Sequence, residues 1–307
     1  MMATQSSRRA VVDQRTGLLL LLAWLGTLLA SALPEILWRE GFGRDGGPVQ
    51  WLQLGGLLLL LLLTALWREA TPLRGYFLVL SALFLVAGIL VPGVSRSDRW
   101  LSWFGQGEAG WFRSSLGLHL LRMLPALAIW ALLAGMGRKR QDYFLVKGCV
   151  DAPVEPVPWM GLRRPEPWTR FGRHLALIAS GVTLLMMLLG RLPTGSEVLG
   201  VLPRLPAVLL FAAMNAFNEE FPGRAALLSQ LLGVVEKQQS LLLTAALFGL
   251  GHFYGVPPGL SGVFLAGFFG WLLGKSMVET GGFLWAWTIH FLQDGIIFAF
   301  LAMAAGG

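Results

Sequence analysis

Two adjacent glutamates, Glu219 and Glu220, end an apolar stretch of the chain, and Arg224 follows four residues after the second. Ionisable side chains are costly inside a bilayer, so a pair of carboxylates there indicates a function such as catalysis or ion transport. Two neighbouring carboxylates cannot both ionise cheaply. Arg224 can keep one of them ionised through a charge-assisted hydrogen bond. The other is then available to take a proton from water.

Two later patterns could complete such a site. Phe248 and His252 are four residues apart, as are His290 and Asp294, so each pair would share one face of a helix. His252 could hold the same water as the free glutamate. His290 and Asp294 could orient a carbonyl group and stabilise the oxyanion that water attack forms. These groups are sufficient for peptide hydrolysis without a covalent intermediate.

Each residue also has a purely structural interpretation. Glu220 and Arg224 could form an ion pair at a helix end, a histidine on an apolar helix could be an interior group, and Phe248 could pack in the membrane. So many ionisable groups on apolar segments argue against this interpretation when they are taken together. His119 and Arg122 have no such neighbours in the sequence, and we interpret them as membrane-interface residues.

A zinc site is the main chemical alternative. Two histidines and a glutamate could bind zinc with an open fourth position. The helical signature H-E-x-x-H does not occur in the chain, and each histidine lies on a different segment. We therefore expect no cofactor, although the sequence does not exclude zinc at the Glu/His cluster.

The composition is that of a membrane protein. Of 307 residues, 55% are hydrophobic and 13% are charged, against about 25% charged in soluble domains. The uncharged runs Thr16–Pro34, Gly46–Trp67 and Gly75–Ser95 are each long enough to span a bilayer. We predict an all-α bundle of eight or nine transmembrane helices around a polar cavity. The predicted segments are 16–37, 49–67, 75–94, 114–136, 173–190, 203–219, 240–255, 259–277 and 282–304.

The basic residues indicate orientation in a membrane. The net charge is +7, but the Lys and Arg side chains lie between apolar runs, which favours anionic lipid headgroups over nucleic acid as partners. The single cysteine, Cys149, excludes an intrachain disulfide framework. Arg8, Arg9 and Arg15 predict a cytoplasmic N-terminus. The composition, rich in Leu, Ala, Gly and Arg, suggests the inner membrane of a bacterium.

One long polar segment divides the chain. Residues 138–173 are basic and contain five prolines, and we predict a solvated cytoplasmic loop. Residues 1–137 would then form about four N-terminal spans, and residues 174–307 would form a C-terminal catalytic membrane domain.

The three patterns together resemble the signature of the CPBP family, named for CAAX proteases and bacteriocin-processing enzymes. That signature is E-E-x-x-x-R, then F-x-x-x-H, then H-x-x-x-(N/D). In this chain Glu219, Glu220 and Arg224 match the first part of the signature. Phe248 and His252 match the second part, and His290 and Asp294 match the third. The matching region is about Pro203–Phe300. The resemblance implies an intramembrane endopeptidase with a helical core, and glutamate-dependent chemistry.

The resemblance also implies a role for each residue. Glu219 and His252 would activate water, while Glu220 and Arg224 would support them. His290 and Asp294 would supply the oxyanion contacts, and we assign Phe248 to substrate binding.

Two features depart from the expected pattern. Pro222 lies inside the first motif and cannot donate a backbone hydrogen bond, so the helix should kink or restart there. An ionised Asp294 would repel an oxyanion, so we expect it to orient His290 instead.

We therefore predict an endopeptidase that cleaves a membrane-associated protein or peptide. The alternatives are a non-proteolytic binding or immunity protein on the same scaffold, and an ion-coupled or proton-coupled carrier.

Overall fold

The computed structural model describes residues 2–43, 47–105 and 110–305, with the side chains of the first helix described from Thr16 onward. Within these ranges the chain is helical, and its only β-type pairings are isolated bridges such as Pro153 with Pro167. The predicted all-α class is confirmed.

Fourteen α-helices are found in the described ranges, joined by short 3₁₀ and π segments. Their bounds are α1 Met2–Ala30, α2 Leu33–Phe42, α3 Gly47–Leu66, α4 Arg74–Leu83, α5 Val91–Ser95, α6 Asp98–Phe104, α7 Gly110–Gly135, α8 Trp168–Gly190, α9 Gly195–Val201, α10 Leu205–Glu220, α11 Ala226–Leu231, α12 Lys237–Leu250, α13 Leu260–Thr280 and α14 Leu284–Ala304. The π segments are Phe84–Leu90 and Phe221–Ala225, and the 3₁₀ segments are Thr71–Leu73, Arg140–Tyr143, Pro158–Met160 and Leu202–Arg204.

Seven continuous helical runs in the described ranges are long and apolar enough to cross a membrane. An eighth is reached if the pair Thr16–Ala30 and Leu33–Phe42, bent by 56°, counts as one span. The chain is therefore a multi-pass helical membrane protein, as predicted. The segment predicted over 240–255 is α12, which has 14 residues and is shorter than the roughly 20 that a span requires. A ninth span is thus not found in the part of the chain that the structure describes.

The break between α1 and α2 is stabilised by a buried amide. A helix break leaves backbone carbonyls without their usual partners, and in a membrane these need a donor from the protein. The Nε2 atom of Gln53, on α3, donates to the carbonyls of Leu29 and Ser31 over 2.7 and 3.0 Å. Gln53 therefore fixes the bend from inside the fold.

The described residues form two compact units, each made from separate stretches of the chain. Unit 1 comprises the described residues of Met1–Ile89 and Ala226–Gly274, and unit 2 those of Leu90–Ala225 and Lys275–Gly307. The predicted division of the sequence into residues 1–137, 138–173 and 174–307 stays a prediction.

Each unit has its own helix packing. In unit 1, α1 packs on α3 and α12, and α3 packs on α4. In unit 2, α10 packs on both α7 and α14, and α14 also packs on α8. The first and third sequence motifs lie on α10, the π segment that follows it, and α14, so unit 2 brings them together.

The polar segment after α7 has mostly exposed residues, but one side of it is docked on the fold. Its backbone pairs with the turn between α13 and α14, since Cys149 donates to the Thr280 carbonyl over 2.7 Å and Phe283 donates to the Val146 carbonyl over 2.8 Å. Ala152, Val154 and Trp168 form a buried apolar cluster. Helix α8 begins at Trp168, directly after Pro167, so the predicted loop end at residue 173 falls inside the helix.

Glu279, on α13, supplies the polar contacts for this docking. Its Oε1 accepts a hydrogen bond from the backbone N–H of Glu155 over 3.3 Å, and its Oε2 accepts one from Trp168 Nε1 over 2.9 Å. Glu279 also pairs with Lys275 one turn earlier, and both side chains are buried. One carboxylate thus ties two parts of the polar segment to the end of α13.

Candidate active site

The first motif lies where α10 changes into a π segment. The chain stays helical through Pro222, but residues Phe221–Ala225 adopt the wider π geometry. Proline cannot donate to the carbonyl one α-turn earlier, and a π-turn is a common adjustment near functional sites. The predicted disturbance at Pro222 is therefore a widened turn. It keeps Glu220 and Arg224 in contact as an ion pair.

Glu220 is enclosed by partners on both of its oxygens. Its side chain is 0% exposed and that of Arg224 is 1% exposed. Oε2 pairs with the Arg224 guanidinium, and Oε1 lies 2.8 Å from His290 Nδ1. An ionised carboxylate only accepts hydrogen bonds, so the His290 Nδ1 atom carries the hydrogen in this contact. The pair also fixes the orientation of the imidazole ring.

Glu219 has different surroundings although it is the adjacent residue. Consecutive residues of a helix point about 100° apart, and the Glu219 side chain is 32% exposed. Its Oε1 accepts a hydrogen bond from Asn215 Nδ2 over 3.0 Å, and its Oε2 lies 3.6 Å from His290 Nε2. Of the two carboxylates, Glu219 is thus the accessible one.

The third motif lies in the middle of α14. His290 and Asp294 are buried and one turn apart, with Nε2 and Oδ2 separated by 3.6 Å. Asp294 Oδ2 also accepts a hydrogen bond from Asn215 Nδ2 over 3.1 Å. The Nε2 atom of His290 therefore faces both Asp294 and Glu219.

Sequence reasoning missed two residues of this cluster, Asn215 and Arg122. Asn215 lies one turn before Glu219 on α10, a spacing that could have identified it. The Nη1 atom of Arg122, on α7, lies 3.4 Å from Asn215 Oδ1. No local signal marks that contact, because the two residues are 93 positions apart in sequence. Arg122 is exposed, so its interpretation as an interface residue stays a prediction, to which the structure adds the contact with Asn215.

The interpretation of His119 as an interface residue is wrong, because its side chain is buried. It is 2% exposed, and its ring stacks on Phe211 with 4.9 Å between centroids. Its Nδ1 atom lies 2.7 Å from the carbonyl of Ser115. His119 is therefore an interior aromatic contact of unit 2.

The second motif belongs to unit 1. Helix α12 ends at Leu250, so His252 lies in the following turn and not on a helix as predicted. The expected contact between Phe248 and His252 is nevertheless present. The His252 and Phe248 rings are 4.4 Å apart, and His252 Nδ1 lies 2.8 Å from the Phe248 carbonyl.

The close approach of α13 to α12 explains the glycine beside Phe248. A Cβ atom at Gly249 would lie 2.5 Å from the Val263 carbonyl oxygen. A larger residue there would push the two helices apart.

The described residues contain no group of three or more His, Cys, Asp or Glu side chains arranged to hold a metal ion. The contacts in unit 2 instead link acids, an amide, an imidazole and guanidinium groups through hydrogen bonds and ion pairs. Such an arrangement can hold one carboxylate fixed while leaving another accessible.

Comparison with known proteins supports the motif assignment. Residues 201–296 match the family model described as type II CAAX prenyl endopeptidase, Rce1-like. The matched region contains all three motifs and lies close to the predicted range. Neither the curated proteins nor the solved structures include a significant match. The predicted CPBP resemblance is confirmed over residues 201–296, where this multi-pass membrane protein is similar to the type II CAAX prenyl endopeptidases of the Rce1-like family.

Proposed function

We propose that this protein is an intramembrane endopeptidase that hydrolyses a peptide bond in a membrane-associated protein or peptide, with Glu219 as the base that activates water. The observation that carries the proposal is the contrast between the two glutamates. Glu219 is partly exposed, whereas both oxygens of Glu220 are engaged by Arg224 and His290. A general base must reach the proton that it removes.

The other residues of unit 2 have supporting roles in this proposal. Glu219 takes a proton from water as the water oxygen attacks the peptide carbonyl carbon, and returns that proton to the leaving nitrogen when the C–N bond breaks. Glu220 and Arg224 hold His290, whose Nε2 atom remains directed at Glu219 and Asp294. We assign His290 and Asp294 to the carbonyl side of the reaction, where the developing oxyanion needs stabilisation.

The roles that we propose for His252 and Phe248 rest on the second motif alone. By resemblance, His252 shares the activation of water, and Phe248 contacts substrate. We propose a reaction that uses no metal, because the complete motif set resembles the glutamate-dependent members of the family.

The test compares the N-termini and C-termini of membrane proteins in cells that carry the wild-type chain or its Glu219→Gln variant. Loss of a general base lowers a rate by about 10²- to 10⁴-fold, so the new termini made by the wild type should nearly disappear. His252→Ala should cause the same loss. Glu69→Gln, at an exposed carboxylate in a turn of unit 1, is the matched control and should leave the termini unchanged.

Normal termini in the Glu219→Gln cells would contradict proteolysis by this mechanism and favour the non-proteolytic alternative. The position of each terminus would also show whether substrates carry a C-terminal CAAX sequence, as the family description suggests.

A further inference from the structure

Asn215 is placed between two carboxylates of unit 2. Its Nδ2 atom lies 3.0 Å from Glu219 Oε1 and 3.1 Å from Asp294 Oδ2. The residue is only 6% exposed, so these two carboxylates are the main acceptors for its side-chain N–H groups. A side-chain amide nitrogen carries two hydrogens, and one can serve each carboxylate.

Arg122 determines which way the Asn215 amide points. Its Nη1 atom lies 3.4 Å from Asn215 Oδ1, and a guanidinium only donates hydrogen bonds. The Oδ1 atom must therefore face Arg122, and the Nδ2 atom must face the carboxylates. The reversed amide would direct donors at a cation and an acceptor at two anions.

The amide reduces a repulsion that the cluster would otherwise contain. The Glu219 and Asp294 carboxylates both lie within hydrogen-bond distance of Asn215 Nδ2. Two negative charges held this close together repel strongly where water is scarce. His290 Nε2 lies 3.6 Å from each of them on another side. Asn215 and His290 together thus bridge the base proposed for catalysis to the acid of the third motif.

We propose that Asn215 is a positioning residue of the peptidase reaction, resting on the function proposed above, and that Arg122 orients it. Asn215 holds the Glu219 carboxylate in place for water activation and keeps Asp294 beside it in spite of their like charge. It does not itself touch the reacting atoms.

The test measures the Glu219-dependent termini defined above, quantified per amount of folded protein. Asn215→Ala removes the shared donor, and the termini should fall by about 10- to 100-fold, the usual range for a hydrogen bond to a charged group. Asn215→Asp places a third carboxylate in the cluster and should reduce them at least as much. The exchange variant Asn215→Asp with Asp294→Asn restores one amide and one acid at the two positions, and the termini should partly return. Arg122→Gln should cause a smaller loss.

Gln293→Ala is the matched control, because it also removes an amide hydrogen bond of unit 2, to Thr183 Oγ1 over 2.9 Å. It should leave the termini unchanged. If Asn215→Asp does not accumulate, Asn215→Ser takes its place, since a serine hydroxyl has only one hydrogen to donate.

Wild-type termini in Asn215→Ala and Asn215→Ser would overturn the inference, as would equal losses in Asn215→Ala and Gln293→Ala. Failure of the proposed function is distinguishable, because Glu219→Gln would then leave the termini unchanged as well.

Discussion

At the residue scale, the Glu220 carboxylate is held by a guanidinium on one oxygen and an imidazole on the other. All three side chains are buried, so none of them can recover its interactions from water. Removing one partner of a buried pair leaves an uncompensated charge, which costs far more than the pair contributes when intact. Arg224 therefore matters for stability as well as for the geometry of the site.

Arg224→Gln should lower the free energy of unfolding by about 3–5 kcal/mol, because it leaves Glu220 buried without its cation. The measurement is a denaturant titration of the purified protein in mixed micelles. Arg39→Gln is the control, since Arg39 and Glu35 form an exposed pair at 2.8 Å, and its loss should cost about 1 kcal/mol or less. Equal losses in the two variants would contradict the interpretation.

The sequence predicted contacts within one helix better than contacts between helices. Glu220 and Arg224 are four residues apart, as are His290 and Asp294, and helix geometry alone places such residues side by side. The contact between Glu220 and His290 joins positions 70 residues apart, and no local periodicity encodes it. Which glutamate is enclosed also depends on packing against α14, so the residues alone could not separate their roles.

At the element scale, the polar segment after α7 makes contacts that its composition does not reveal. Its prolines and arginines are typical of solvated loops, yet it is docked onto the turn between α13 and α14. The partners that hold it come from residues more than a hundred positions later, such as Glu279. Long hydrophobic runs, in contrast, predicted most of the spanning helices, because the bilayer requires helix wherever backbone meets lipid.

Glu279→Gln should release this docking. The substitution removes the negative charge that pairs with Lys275. It also weakens the hydrogen bond that Trp168 Nε1 donates to residue 279. We expect faster protease cleavage of the polar segment and a loss of about 3–5 kcal/mol in stability. Glu166→Gln is the matched control, because Glu166 lies in the same segment and pairs only loosely with the exposed Arg170, at 3.6 Å. Similar cleavage rates in the two variants would show that Glu279 does not hold the segment.

At the scale of the whole molecule, Cys149 reports the orientation of the chain. It is the only cysteine in the sequence and it is exposed. The basic excess of residues 138–173 predicts that this segment is cytoplasmic. The arginines that predict a cytoplasmic N-terminus, Arg8, Arg9 and Arg15, lie outside the described side chains, so Cys149 provides an independent test.

A membrane-impermeant maleimide added to intact spheroplasts should leave Cys149 unlabelled, and labelling should appear after permeabilisation. The control is Ser196→Cys in a Cys149→Ala background. Ser196 lies after α8, a single span that starts next to the polar segment, so it should be labelled without permeabilisation. The reverse pattern would place the polar segment outside the cell.

The interleaved units constrain the order of biosynthesis. A ribosome that has produced the first 225 residues has completed neither unit, because unit 1 still needs Ala226–Gly274 and unit 2 still needs Lys275–Gly307. Helices α7, α8 and α10 must therefore wait in the membrane for α14, which lies in the second stretch of unit 2. The Glu220 carboxylate meets His290 only when that helix arrives. A nascent chain would thus carry the Glu220 carboxylate into the bilayer before the imidazole that contacts it has been synthesised.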